Sequence, residues 1–295
     1  MAHLVLALTV LVWSFSFLAA ARLRQELSVA ESLAARFVPV AVGAGVLLLA
    51  RRPWRIPRNA WPVIVAMGLL GVPAYNLFFF IGLKTVPSGT AALIVALNPV
   101  LTVLLAWCFL GEPFGLRKTL GLALSLTGVY VVIRYGTERS VDAPYLTSAL
   151  LLALAPLSWA GYTVVGRMMP RGTNTFDACL ALLFVGSFPL VVFAGPGLVR
   201  TLAGSPGALA SALYLALPCT LFGFTAWLWA LRRLPAGEVA AFVFLNPPLA
   251  NLWAFLFEGA RLRPPFLAGA AVLLAGVAFI ALPSLRRVAA EASPP

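Results

Sequence analysis

Charge is what this chain has least of. Only 10% of its 295 residues are Asp, Glu, Lys or Arg, against about 25% in an ordinary soluble domain. Water is therefore a poor solvent for most of its surface. Acids are scarcest, at nine, and no Asp or Glu falls in mid-run where a buried proton relay would place one. His3 is the one histidine, and Cys108, Cys179 and Cys219 stand far apart inside apolar runs. Neither the metal-site spacings nor a disulfide framework can be read from such a set, so the cysteines are read as packing residues and no metal or cofactor is expected. A membrane-embedded transferase would need convergent acid–base or metal-binding side chains. With one His and no mid-run carboxylate pair, the chain is read as a non-enzyme.

What is abundant is apolar: 62% of the residues are hydrophobic and the mean hydropathy is +0.98. The net charge of +12 would suit nucleic acid, but its Arg and Lys lie in short clusters between apolar runs, where membrane-flanking charges belong. No nucleic-acid partner is expected. A helix needs about 17–25 apolar residues to cross the hydrocarbon core. Ten runs fit, at 4–21, 32–50, 62–83, 87–110, 117–134, 145–165, 176–194, 208–230, 237–257 and 265–283. The first ends in Ala19-Ala20-Ala21, which resembles a leader cleavage site, but it lacks the basic n-region of a signal peptide and is read as a first transmembrane helix. Connections are short, and no stretch of the sequence reads as a soluble domain.

A fourteen-residue segment, 86–99, recurs 148 residues later as 234–247. Pro87, Gly89, Ala92, Val95, Leu97, Asn98 and Pro99 meet identical residues at that offset, and Gly121 and Gly128 fall on Gly269 and Gly276. A two-residue adjustment brings Glu112 onto Glu258. Half the molecule is thus a diverged copy of the other half. Five helices is an odd number, so the second copy enters the membrane from the opposite side. The expected fold is an all-α membrane protein of ten transmembrane helices in two inverted-topology five-helix repeats, residues 1–139 and 140–287, with a short tail at 288–295. With both termini cytoplasmic, the inner segments hold twelve Arg or Lys, including Arg51, Arg52, Arg55 and Arg58, against eight in the outer ones, which satisfies the positive-inside rule.

Paired breaks at corresponding positions of two inverted repeats are the sequence pointer to a binding site near the bilayer midplane. Asn98-Pro99 and Asn246-Pro247 are such a pair. Each proline removes an N–H and clashes with the carbonyl four residues back, at Val95 and Val243. Pro99 and Pro247 are read as hinges. Asn98 and Asn246 are read either as substrate contacts or as caps on the freed backbone. Aromatic and small polar side chains cluster in matching helices: Trp13, Ser14 and Phe17 in the first, Trp159 and Tyr162 in the sixth, with Tyr75 and Phe79 in the third and Trp227 in the eighth. These ten residues, the two asparagines included, are the candidate substrate-binding set, Trp159 being the one placed nearest an interfacial belt. Arg36 is read as snorkelling to the outer interface. Glu238 complements a helix N-terminus, and Glu112 and Glu258 are read as helix-end residues. The seven-residue Gly spacings at 121/128 and 269/276 are read as packing seams. No paired basic residues are evident in the spans, which favours a neutral or zwitterionic solute.

Ten spans, two five-helix repeats, and Pro87…Asn98-Pro99…Gly121…Gly128 with its echo resemble the EamA-type transporters of the drug/metabolite transporter superfamily. Trp13 with its Ser and Phe neighbours and Arg36-Phe37 are similar to that family's first and second helices. The resemblance implies a central cavity between the repeats, alternating access, residence in the cell inner membrane, and export of amino-acid-like or amphipathic metabolites. A flippase for a lipid-linked intermediate is the runner-up, and a monomer and a homodimer both remain open. The basic cavity residues of the phosphate-carrying relatives are not seen.

Overall fold

The computed structural model describes residues 2–52, 54–111, 115–135, 142–234, 239, 242–259 and 263–291. Glu112, Glu238 and the start of the second repeated segment lie outside them. The described residues form helices joined by short connections, with no strand among them. We label the helices α1 (Ala2–Glu26), α2 (Val29–Ala50), α3 (Arg58–Gly82), α4 (Ser88–Leu110), α5 (Leu116–Tyr135), α6 (Ala143–Gly166), α7 (Thr175–Phe193), α8 (Pro196–Gly204), α9 (Pro206–Leu231), α10 (Asn246–Glu258) and α11 (Pro264–Glu291).

Among the described residues seven helices, α1 to α4, α6, α7 and α9, are long and apolar enough to cross a bilayer. Shorter apolar stretches at 119–128 and 264–276 lie in α5 and α11. The ninth expected run, 237–257, is described chiefly by α10. These helices are apolar on both faces, as a lipid-facing bundle requires. In α2, Ala34, Phe37, Val40 and Ala44 are buried while Val42, Val46 and Leu49 are exposed to about the same degree, 60%, 59% and 63%.

Local chemistry sets several helix starts. Ser28 caps α2: its Oγ accepts from Glu31 N at 3.2 Å and Glu31 Oε2 accepts from Ser28 N at 2.9 Å, a reciprocal capping box. Asp142 accepts from Tyr145 N at the start of α6. Asn174 caps α7, and Asp177 in its first turn binds Arg51 Nε at 2.9 Å and accepts from Arg55 N at 3.1 Å. The basic stretch after α2 is therefore anchored on α7.

Prolines break α3, α4 and α9 internally. In α3 and α9 the ladder widens to π geometry at Leu70–Ala74, around Pro73, and at Leu215–Phe222, around Pro218. In α4 the helix stops at Val95 and restarts at Asn98. In the second copy a 3-10 turn, Phe242–Leu245, leads into α10 at Asn246. The helices after the two breaks match closely. Asn98–Leu110 and Asn246–Glu258 are each 13 residues long, ending in left-handed Gly111 (φ 66°) and Gly259 (φ 64°). The 148-residue offset thus holds without adjustment: Gly111 answers Gly259, and Glu258 takes the place of Leu110, not that of Glu112.

Helices α5 and α11 pack along each other on their glycines. A Cβ on Gly276 would lie 2.6 Å from both Gly121 O and Ser125 N, and one on Gly128 would lie 2.6 Å from Gly269 O. The Gly seam is an intramolecular one, joining matching helices of the two copies.

Candidate functional site

Where the broken helices converge they surround a cavity lined by Trp13, Ser16, Phe17, Arg36, Tyr75, Phe79, Val95, Asn98, Trp159, Phe224, Val243 and Asn246. Its lining, mostly apolar and aromatic with a few polar groups, is that of a site for a small organic solute. Both copies of the Asn-Pro break contribute, each through its Asn and through the Val whose carbonyl the proline obstructs.

The aromatic wall is built on Trp13. Its Nε1 donates to Cys219 O at 2.8 Å, inside the π segment of α9 where the ladder is loosened. The indole lies against Gly223, where any side chain would collide with it. Trp159 meets Trp13 edge-on, with centroids 5.4 Å apart and planes at 87°, and Tyr75 approaches Trp159 at 5.4 Å. Tyr75 and Phe79 stack at 5.8 Å, and Phe79 meets Phe17 edge-on at 5.4 Å. Offset and edge-on pairs of this kind are favourable beyond their buried area.

Of the ten candidate residues, Trp13, Phe17, Tyr75, Phe79, Asn98, Trp159 and Asn246 line the cavity. Ser14, Tyr162 and Trp227 stand behind it. Ser14 Oγ donates to Leu11 O and accepts from Trp253 Nε1 at 2.9 Å, tying α1 to α10. Tyr162 stacks under Trp159 at 4.7 Å, and Trp227 packs against Trp13 at 5.2 Å; both are fully buried. They back the wall and do not form its surface. Trp159 is itself buried at 6% exposure, not interfacial, because α1, α3 and α9 all pack aromatic residues around it. Pro99 and Pro247 occupy the first turn of the helices that restart after each break, where a missing N–H costs nothing.

The sequence reading missed Arg36. It does not snorkel: it is 5% exposed and lines the cavity. Its Nε donates to Thr220 Oγ1 at 3.0 Å and its Nη1 to Asn76 Oδ1 at 2.9 Å. Asn76 and Thr220 are themselves fixed by the π segments, Asn76 Nδ2 donating to Val72 O at 2.8 Å and Thr220 Oγ1 to Leu215 O at 2.7 Å. The signal available in the sequence was Pro73 and Pro218, a second pair of mid-run prolines at comparable places in the third and eighth runs. Phe224, Val95, Val243 and Ser16 also line the site; Ser16 Oγ donates to Trp13 O at 2.6 Å.

The two asparagines differ. Asn98 Nδ2 donates to Pro156 O at 3.4 Å; Thr102 Oγ1 donates to Asn98 O at 2.9 Å and stands 3.3 Å from Asn98 Oδ1. Asn246 Oδ1 is buried and has no hydrogen-bond partner among the described residues. No group of three or more metal-ligating side chains occurs among the described residues.

A polytopic bundle of apolar helices, broken by proline around a central aromatic cavity, is the architecture of a membrane transporter of small solutes. The model of the EamA-like transporter family matches residues 1–134 and again 146–282, and the chain belongs to that family. A probable terminal-alkyne amino-acid exporter of Streptantibioticus cattleyicolor is 34% identical, the match covering 98% of this chain and 96% of the relative. An uncharacterized transporter of Archaeoglobus fulgidus is 26% identical over 93% of this chain and 96% of its own length. A crystal structure of another protein superposes on 97% of this chain and 98% of its own with a TM-score of 0.63 at 21% identity, a likeness of fold.

Proposed function

We propose that the protein is a secondary transporter that exports small amino-acid-like or amphipathic metabolites across the cell inner membrane by alternating access. The observation that supports this reading best is that one cavity takes Val95 and Asn98 from one copy of the break and Val243 and Asn246 from the other. In a ten-helix, two-repeat arrangement with both termini cytoplasmic, rocking one repeat against the other exchanges the exposed side of such a site. Pro99 and Pro247 are the pivots. Trp13, Phe17, Tyr75, Phe79 and Trp159 hold the apolar part of the solute, with Ser14, Tyr162 and Trp227 keeping that wall rigid. Asn246 offers a polar contact, and Asn98 fixes the first break. The kinship with an amino-acid exporter supports the solute class.

The test is solute flux in proteoliposomes of the purified protein, with labelled amino acids and small metabolites, with and without a pH gradient. Saturable flux is expected, and Val95→Trp and Val243→Trp, which fill the cavity from opposite repeats, each abolish it in a protein that still unfolds cooperatively. Undiminished flux in both variants refutes the cavity as the path. Movement of a lipid-linked solute in its place would favour a flippase.

A further inference from the structure

Among the described residues the cavity is lined by one buried cation and by no acid. Arg36 has no ion pair among them; its partners are the neutral Thr220 and Asn76, with the Phe37 ring 5.1 Å from Cζ. A guanidinium stays charged in a protein, and a lone charge taken out of water is costly unless something compensates it. The two protein acceptors bind Nε and one N–H of Nη1. Of the five N–H donors, those remaining are the second on Nη1 and both on Nη2. Both terminal nitrogens thus keep an N–H free for an anionic acceptor such as a carboxylate. The side chain is also held in place: one tether comes from the π segment of α3 and the other from that of α9.

Asn246 also lines the cavity. Its Oδ1 is buried and has no hydrogen-bond partner among the described residues. Trp13, Tyr75 and Trp159 line the same cavity.

We propose that Arg36 is a carboxylate-binding subsite of the cavity and that Asn246 Oδ1 receives an N–H of the same solute, whose apolar body lies on the aromatic wall. The inference rests on the transport reading for its function, but not for its binding. With one basic residue and no pair, it narrows the expected neutral or zwitterionic solute to an organic acid bearing a donor group, and its neutral amide is a poor ligand. One guanidinium balances the single charge of a carboxylate but not the two of a phosphate ester.

Binding is read from the tryptophan fluorescence of the purified protein in neutral-lipid nanodiscs, with L-phenylalanine, L-phenylalaninamide, 3-phenylpropionate and inorganic phosphate as probes. Phenylalanine is expected to bind about tenfold or more tightly than its amide, the loss of one charge-assisted contact, and phosphate is expected not to displace it. Arg36→Gln erases the acid-over-amide preference, and Arg36→Lys keeps part of it. Asn246→Leu weakens phenylalanine but not 3-phenylpropionate. Equal binding of acid and amide by the wild type, no binding of any probe, displacement by phosphate at equal concentration, or an undiminished preference in Arg36→Gln overturns the subsite. The wild-type acid-to-amide ratio decides even where Arg36→Gln fails to fold. Acid preference without flux in proteoliposomes leaves the subsite standing and removes the transport reading; flux without acid preference does the reverse.

Discussion

The two copies of the Asn-Pro break share a sequence and differ in their hydrogen bonds. Asn98 Nδ2 reaches Pro156 O and its Oδ1 lies within reach of Thr102 Oγ1, whose hydrogen is shared with Asn98 O, whereas Asn246 Oδ1 has no partner among the described residues. One residue marks the difference. Thr102, a helical turn beyond Asn98, falls on Ala250 in the second copy, and a methyl group donates nothing. Arg36 sharpens the contrast, since it stands on the first repeat alone. The duplicated frame is therefore chemically lopsided in its side-chain hydrogen bonds. An orphaned buried carbonyl costs about 1–3 kcal/mol, a cost that a bound solute offsets.

The largest expected effect comes from testing that lopsidedness directly. Asn246→Leu is expected to lower solute flux by about tenfold or more, while Asn98→Leu leaves the apparent affinity within about threefold and instead lowers the unfolding temperature, because Pro156 O loses its donor. Equal loss of flux in both variants would dissolve the distinction. Ala250→Thr gives the second break the hydroxyl of the first, and a several-fold weaker affinity is the expected result. Next in size is the seam between α5 and α11. Gly128→Val and Gly276→Val push a side chain into the facing backbone and cost about 1–3 kcal/mol each, read by thermal unfolding in detergent. The left-handed caps come third: Gly111→Ala and Gly259→Ala each cost about 1 kcal/mol. Their equality would confirm that the repeat is kept at this point, and a clear inequality would place the divergence there.

The smallest effect concerns a contact the second copy cannot repeat. Ser88 Oγ donates to Glu258 Oε2 at 2.6 Å, and the residue matching Ser88 is Ala236, without a hydroxyl. Because Glu258 is solvent-exposed, Ser88→Ala is expected to cost under about 1 kcal/mol. A larger loss would show that this end of α4 and α10 is held more firmly than its counterpart.

Much of the fold was legible because its causes are local. Apolar runs of spanning length predict helices wherever they occur, and proline obstructs a helix regardless of its neighbours. The wall residues Trp13, Tyr75, Phe79 and Trp159 were visible as a cluster, since aromatic residues gathered in matching helices are a compositional fact. Arg36 was misplaced for an equally plain reason. Eight residues into a helix, a long basic side chain reads as reaching the nearer interface; only the arrival of Asn76 and Thr220 from two other helices turns it inward. Ser14, Tyr162 and Trp227 were set in the wrong layer because spacing along a helix does not say which neighbour covers which face.

The sequence by itself determined that this is a membrane-embedded helical protein, internally duplicated and broken at matching prolines. Those properties follow from hydropathy, from the missing proline N–H and from identities at a constant offset. The tertiary structure alone decided that the two breaks face one cavity, that a buried cation stands in it without a counter-ion among the described residues, and that the two asparagines meet different neighbours. Burial and hydrogen-bond pairing are properties of residues brought together from distant parts of the chain, and no single stretch of sequence contains them.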